Sequence, residues 1–271
     1  LVLRPPLPQL RLRDAKHNRM LMRKLLVMTL AGLTRAFAEA GELYVAASAS
    51  LADVMKAVEP LYVRSNPGTR LVFVHGATGM LRTQVARGAP CDVFIGADRW
   101  FGGAESNVAE VVKTDSVRVV AVNTLVAVAG RRAEPEGGTL ATWLKGATRI
   151  GIGNPASVPA GRYAKRLLES EGLWDSCAPK CVLGTSVREV LLWLRQGVVD
   201  IGFVYGSDLV AANDSGLKTL AEYAAPGGAP IELAGGVAKG SKAPEAAQAF
   251  LDYLVTPEAA AVFASFGFGS P

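Results

Sequence analysis

Between residues 42 and 268 the chain alternates short runs rich in valine and isoleucine with stretches whose apolar residues recur every three or four positions. Strands so short and so continuously apolar have no wet face. They need helices on both sides of their sheet, so the alternation confines the chain to the α/β class and favours parallel strands. The strand candidates are ELYVAA (42–47), RLVFVHG (70–76), CDVFIGA (91–97), VRVVAV (117–122), TLVAVAG (124–130), RIGIG (149–153), VDIGFVYG (199–206) and IELAGGVAKG (231–240). The helical stretches begin with SLADVMKAVEPLYVRS (50–65), where Leu51, Val54, Met55, Val58, Leu61 and Tyr62 share a face. They continue with GMLRTQVARG (79–88), PAGRYAKRLLESEGLW (159–174) and SVREVLLWLRQG (186–197), and end with APEAAQAFLDYLVT (243–256) and PEAAAVFASFGF (257–268). With 271 residues, half of them apolar, the chain can bury one large or two modest cores.

The formal charge of +5 invites a nucleic-acid reading, but the charge is not where such a reading needs it. Residues 1–40 carry eight Lys or Arg against two acids, and the remainder carries 21 against 22. The body is therefore close to neutral, which argues against a polyanion-binding surface and against a nucleic-acid partner.

The basic leader has the build of a secretory signal peptide. Met20 or Met22 offers a start, Arg23 and Lys24 a positive region, and Leu25–Leu33 a nine-residue apolar run. AFA (36–38) and AEA (38–40) follow as small-x-small cleavage sites. Nine apolar residues are far short of the roughly 20 a spanning helix needs. Residues 1–40 are thus expected to be upstream sequence and signal peptide, and the mature protein to be periplasmic. In that oxidising compartment Cys177 and Cys181, four apart in SCAPKC, could close a small disulfide or remain two thiols. Cys91 sits at the mouth of an apolar run and reads as buried.

Four junctions share one design: ASASL (47–51), GATGM (76–80), VPAGR (158–162) and TSVRE (185–189) each place a small or hydroxyl residue where a strand or loop hands over to a helix. Helix starts carry unpaired N–H donors and the positive end of the dipole. Any one such junction is adequately explained by capping. Four together suggest an anion site.

The stretches VAASASL, HGATGMLRTQVARGAPCDVFIGAD, GNPASVPAGRYAK and DIGFVYGSD, in that order, resemble the periplasmic molybdate-binding proteins of ABC importers, over about residues 42–268. The resemblance implies a two-lobed periplasmic binding protein: two doubly wound α/β domains joined by two hinge crossings. It puts the first lobe at 41–123 plus 231–271 and the second at 124–230, with APGGAP (225–230) as the return crossing. It implies molybdate or tungstate as ligand, no cofactor and no directly coordinated metal, a permease as partner, and a monomer. The ligand contacts it implies are the hydroxyls of Ser50 and Thr78, the backbone N–H groups of Ala160 and Val187, and the phenol of Tyr205. At residue 78 the family pattern usually shows serine, and the extra methyl of Thr78 is expected to tighten the pocket.

Three other readings compete, of which an adhesion or structural role finds no use for the strand–helix alternation and the glycine-lined helix starts. A two-lobed binder of sulfate or another small anion would share the fold, and a carboxylate binder would use an arginine clamp, for which Arg162 is the candidate. An enzyme would have to use His75, the one histidine of the body, and HExxH, GxSxG and P-loop patterns do not occur. His75 is expected to end a strand near the cleft.

Overall fold

A computed structural model describes residues 41–97, 110–133, 137–224 and 230–271. The expected leader and most of the return crossing, 225–229, lie outside the described residues.

The chain opens with β1 (Gly41–Ser48), a 3-10 turn over Ala49–Leu51, and α1 (Ala52–Ser65). Next come β2 (Thr69–Gly76), α2 (Thr78–Ala86), β3 (Val93–Gly96), β4 (Arg118–Asn123) and β5 (Leu125–Ala129). After α3 (Leu140–Gly146) follow β6 (Ile150–Gly153), α4 (Pro159–Ser170), α5 (Trp174–Cys177), β7 (Cys181–Gly184) and α6 (Val187–Gln196). The chain ends with β8 (Ile201–Tyr205), α7 (Gly206–Ala212), β9 (Lys218–Tyr223), β10 (Ile231–Val237), α8 (Pro244–Leu254) and α9 (Pro257–Ser265).

These strands form two five-stranded sheets, in the orders β2-β1-β3-β10-β4 and β7-β6-β8-β5-β9. Each sheet is the floor of one lobe. The chain leaves the first sheet between β4 and β5, across the single residue Thr124, and returns between β9 and β10. Both lobes are two-faced α/β layers. On the first, Val54, Met55 and Val58 of α1 are buried, and Tyr62 meets Phe250 of α8 edge-on at 4.9 Å between ring centroids. On the second, Ala164, Leu167 and Leu168 of α4 and Val190, Leu191 and Leu194 of α6 are buried.

The expectation of parallel strands holds for only part of each sheet. β1 with β3, and β6 with both β7 and β8, run parallel. The strands next to the crossings run the other way: β10 is antiparallel to β3 and β4, and β5 to β8 and β9. A strand that has just arrived from the other lobe has no helix behind it to turn it round, so it pairs in the direction in which it enters.

Five elements carry no signal of their own in the sequence reading, among them the four-residue α5. β9 is an edge strand, exposed or half-buried along its length, and lacks an alternating pattern. β7 is four residues long, and α3 and α7 have seven each, too short for a helical period to register. Cys177 and Cys181 are free thiols, one at the end of α5 and the other at the start of β7. Burial, followed by the neighbouring Cys177, pushes Cys181 up to about 11. Cys91 is buried as expected, with its Sγ donating to the Val93 carbonyl at 3.3 Å.

Candidate functional site

Among the described residues, the junction between the lobes holds a small cavity. The first lobe contributes Ser48, Ala49, Ser50, Gly76, Ala77, Thr78 and Ala97, and the second Val158, Pro159, Val187 and Tyr205. Its volume is about 10 Å³, about the room one water needs. Every lining residue among those described is uncharged. Of the five expected contacts, Ser50, Thr78, Val187 and Tyr205 lie in this wall. Ala160 does not: it is fully buried one residue behind Pro159, which does.

The local folding of each segment explains the placement. β1 ends at Ser48, and the 3-10 turn that follows folds Ser50 back so that its Oγ lies 3.0 Å from Ser48 Oγ. Both serines are buried, and neither caps its helix with its side chain. The two hydroxyls share one hydrogen bond, so one proton of the pair is left to donate into the cavity.

Thr78 is the first residue of α2. Its Oγ1 accepts from Ala97 N–H at 3.4 Å. The methyl expected to tighten the pocket lies instead over Gly96 of β3: a Cβ at residue 96 would come within 2.7 Å of Thr78 Cγ2. The threonine is therefore accommodated by a glycine in its own lobe.

In the second lobe, Asn154 shapes the turn into α4. Its Oδ1 accepts from Ala156 N–H at 3.0 Å and its carbonyl from Val158 N–H at 2.8 Å. Proline at the first helical position has no N–H, and Gly161 and Arg162 donate back to the Val158 carbonyl. Ala160 N–H is thus the first-turn donor that the helix cannot use itself. The glycines of this motif serve close packing, since a Cβ on Gly161 would sit 1.8 Å from the Gly153 carbonyl oxygen. α4 can dock on β6 only without that atom.

At α6 the capping duties fall outside the cavity. Ser186 Oγ accepts from Glu189 N–H at 3.2 Å, and Glu189 Oε2 accepts from Thr185 N–H at 2.6 Å. Val187 N–H is left as a first-turn donor beside the cavity. Tyr205 closes β8 and pairs in register with Leu125, the first residue of β5 after the crossing. Its N–H donates to Asp208 Oδ2 at 3.1 Å. The tyrosine thus sits at the hinge itself.

The charged groups form a layer behind this wall. Arg162, the candidate clamp, donates through NH1 to the Pro155 carbonyl at 3.3 Å and lines an outer groove rather than the cavity. Arg188, next to Val187, lies 2.8 Å from Asp53 Oδ2 through NH1 and 2.9 Å from Asp208 Oδ1 through Nε. Burial raises Asp208 to about 6, against the pull of Arg188 and the Tyr205 N–H. His75 ends β2, stacked on Phe73 at 5.7 Å and open to solvent on its other side. Its pKa is lowered chiefly by desolvation, with the carbonyls of Ala47 and Ser48 acting in the opposite direction.

Ser48, within the ASASL junction, belongs to the wall alongside Ser50. Two features of the site were not singled out from the sequence. The Asp53–Arg188–Asp208 cluster joins residues from three elements and left no local trace. Gly79 N–H, in the first turn of α2, donates across the lobe boundary to the Ser157 carbonyl at 3.1 Å.

A larger groove of about 540 Å³ on the first lobe includes Asp92, the aspartate of the APCDVFIG segment. That carboxylate is fully engaged: it accepts from Tyr44 N–H at 2.9 Å, Ser241 Oγ at 2.7 Å and Lys242 N–H at 3.2 Å. Its role is to tie β1 to the turn after β10.

Two α/β lobes, a chain that crosses twice, and a small cavity between them define a solute-binding protein of the kind that closes around its ligand. The family model described as bacterial extracellular solute-binding protein matches residues 43–269, and the chain belongs to that family. The molybdate-binding protein ModA of Escherichia coli is 32% identical over 239 residues, spanning 86% of this chain and 91% of the relative. The substrate-binding domain ascribed to a molybdenum ABC transporter of Clostridium difficile is 31% identical, with a TM-score of 0.62 over 85% of this chain and 99% of that one. The periplasmic molybdate-binding protein of Azotobacter vinelandii, 20% identical, shares the fold with a TM-score of 0.69 over 84% and 99%. Among the described residues no helix is long and apolar enough to cross a membrane.

Proposed function

We propose that the protein captures molybdate, and tungstate equally, between its lobes and hands it to the permease of an ABC importer. The observation that carries this reading is the cavity between the lobes, walled from both sides by residues at strand ends and helix starts, with no charged side chain among the described residues. The names of the relatives supply the ligand. The hydroxyls of Ser50 and Thr78 and the Val187 N–H are the donors, with the Tyr205 phenol and the Ala160 N–H completing the set. A hydrogen bond to a charged group contributes about 1.5–3 kcal/mol, so five of them suffice for micromolar or tighter binding after ordering and closure costs.

The donors also set the selectivity. Phosphate and arsenate keep a proton near neutral pH that calls for a strong acceptor such as a carboxylate, and these five positions include none. A buried O–H facing N–H is costly. Sulfate carries the right charge and is separated by size alone. We assign the first lobe to 41–123 with 231–271 and the second to 124–230. The protein acts as an exported, monomeric, non-catalytic carrier, and the engagement of Arg162 with Pro155 supports an oxyanion over a carboxylate ligand.

Calorimetry with four anions tests the reading. Molybdate and tungstate bind micromolar or tighter, sulfate more weakly, and phosphate at least a hundredfold more weakly, as about 3 kcal/mol for one mispaired buried proton implies. Phosphate binding as tightly as molybdate would refute it.

A further inference from the structure

One arginine joins the two lobes beside the cavity without entering it. Arg188 is the second residue of α6, immediately after the cavity residue Val187. Its Nε is 2.9 Å from Asp208 Oδ1 in its own lobe, and Asp208 is fully buried. Its other two nitrogens reach the first lobe: NH1 lies 2.8 Å from Asp53 Oδ2, and NH2 donates to the Ser50 carbonyl at 3.4 Å. The guanidinium is thus rooted in one half of the molecule and holds the other at two points. One of those points is the backbone of the residue whose hydroxyl faces the cavity.

The two sets of contacts behave differently when the lobes part. The contact with Asp208 lies within the second lobe and persists in any arrangement, since losing it would strand a buried carboxylate. The contacts with Asp53 and Ser50 span the boundary and exist only when the lobes meet. We infer that Arg188 is a positioning residue that couples closure to completion of the anion cavity: anchored by Asp208, it fixes the 3-10 turn over residues 49–51 only in the closed state. Its charge is matched by two carboxylates and its three nitrogens are engaged, so it holds the wall and leaves ligand contact to the neutral donors. The inference takes the identity of the ligand from the capture reading, while the clasp itself concerns closure.

The test uses the whole mature protein and the substitutions Asp53→Asn and Arg188→Lys. Asp53 is on the first turn of α1 with its side chain 48% exposed, so D53N removes the far partner without uncovering a buried charge. R188K keeps a cation for Asp208 but cannot reach three partners at once. Three readouts apply: molybdate affinity by calorimetry, molybdate release by stopped-flow fluorescence, and lobe separation without ligand from a pair of spin labels, one per lobe.

The expected result is that D53N weakens molybdate about three- to tenfold, with the whole change in faster release and the ligand-free melting temperature unmoved. The spin-label distance distribution shifts toward the open state in D53N even without molybdate. The double variant is no weaker than R188K alone, because both changes break one contact. Unchanged affinity and release in D53N, or additive effects in the double variant, would overturn the clasp while wild-type binding leaves the capture reading standing. If wild type fails to bind molybdate, the capture reading falls. The ligand-free distances still decide the clasp, and identical distributions in wild type and D53N overturn it.

Discussion

Replacing Gly79 with alanine separates the stability of the fold from the stability of its closed state, because the two should move in opposite directions. Gly79 is the second residue of α2 in the first lobe, and its N–H bonds to the Ser157 carbonyl of the second at 3.1 Å. A Cβ added there would sit 2.9 Å from that oxygen and 3.1 Å from Ser157 Cα, both backbone atoms of the facing lobe. Restoring ordinary contact, about 3.4 Å, requires the lobes to part locally by about half an ångström. The bond across the boundary then stretches beyond useful length, a loss of about 1 kcal/mol, and residual overpacking brings the penalty to about 1–3 kcal/mol. The three atoms nearest that methyl all belong to Ser157 of the facing lobe, which parts from it on opening. In the open arrangement the only effect is the helical preference for alanine over glycine, about 0.5–1 kcal/mol in favour of folding.

Ligand-free G79A should therefore melt at the wild-type temperature or about 2 °C above it. It should bind molybdate roughly five- to 150-fold more weakly, the loss appearing in the release rate. Differential scanning fluorimetry without ligand and calorimetry with molybdate make the two measurements on one preparation. Wild-type affinity in G79A would mean that the Gly79–Ser157 contact is not part of the ligand-bound state, and the reasoning would fail.

Two further outcomes follow from the same geometry. Tyr205→Phe should weaken molybdate about tenfold in calorimetry, the worth of one charge-assisted hydrogen bond, and unchanged affinity would remove the phenol from the donor set. Asp208 makes stability depend on pH. Its folded pKa is raised to about 6 from 3.8, so between those values the native state keeps a proton that the unfolded chain has released. Its stabilising contribution is complete below about pH 4 and is lost as pH rises through about 6. Relative to D208N, melts between pH 4 and 7 should show wild type losing stability as pH increases, and a flat difference would contradict the assignment.

The sequence makes the layers legible because burial on both faces leaves an unmistakable mark: the apolar runs of β3, β5 and β8 are buried throughout, and β1 is buried from Val45 on. It hides the strand directions, which depend on what precedes a strand in space rather than on the residues in it. It also hides β9, whose exposed edge position has no use for an apolar pattern. At the site, the hydroxyls of Ser50 and Thr78 and the start of α6 are visible because small residues at strand-to-helix junctions are a local signal. The departures come from contacts between segments. Thr78 places its methyl on Gly96, a residue 18 positions away in the chain. The Arg188 cluster draws on α1, α6 and α7, and no window of sequence contains all three.

The position of the charges accounts for how such a site can be both selective and reversible. An arginine in contact with a dianion would add attraction of about 4 kcal/mol or more per unit charge at an effective dielectric of 20. That attraction acts on any anion of the same charge, whatever its proton count, and it slows release. Among the described residues, the cations beside the cavity are turned away from it, Arg188 onto Asp53, Asp208 and the Ser50 carbonyl, and Arg162 onto Pro155. In the proposed site recognition is left to neutral groups whose directions are fixed by strand ends and helix starts, with no carboxylate to meet a ligand's proton. Holding the lobes shut becomes a separate function, carried by the Gly79–Ser157 bond and the Arg188 clasp, contacts that form and break with the hinge. A carrier built this way gains affinity from closure as well as from contact, so a partner that pries the lobes apart can lower affinity without touching the anion.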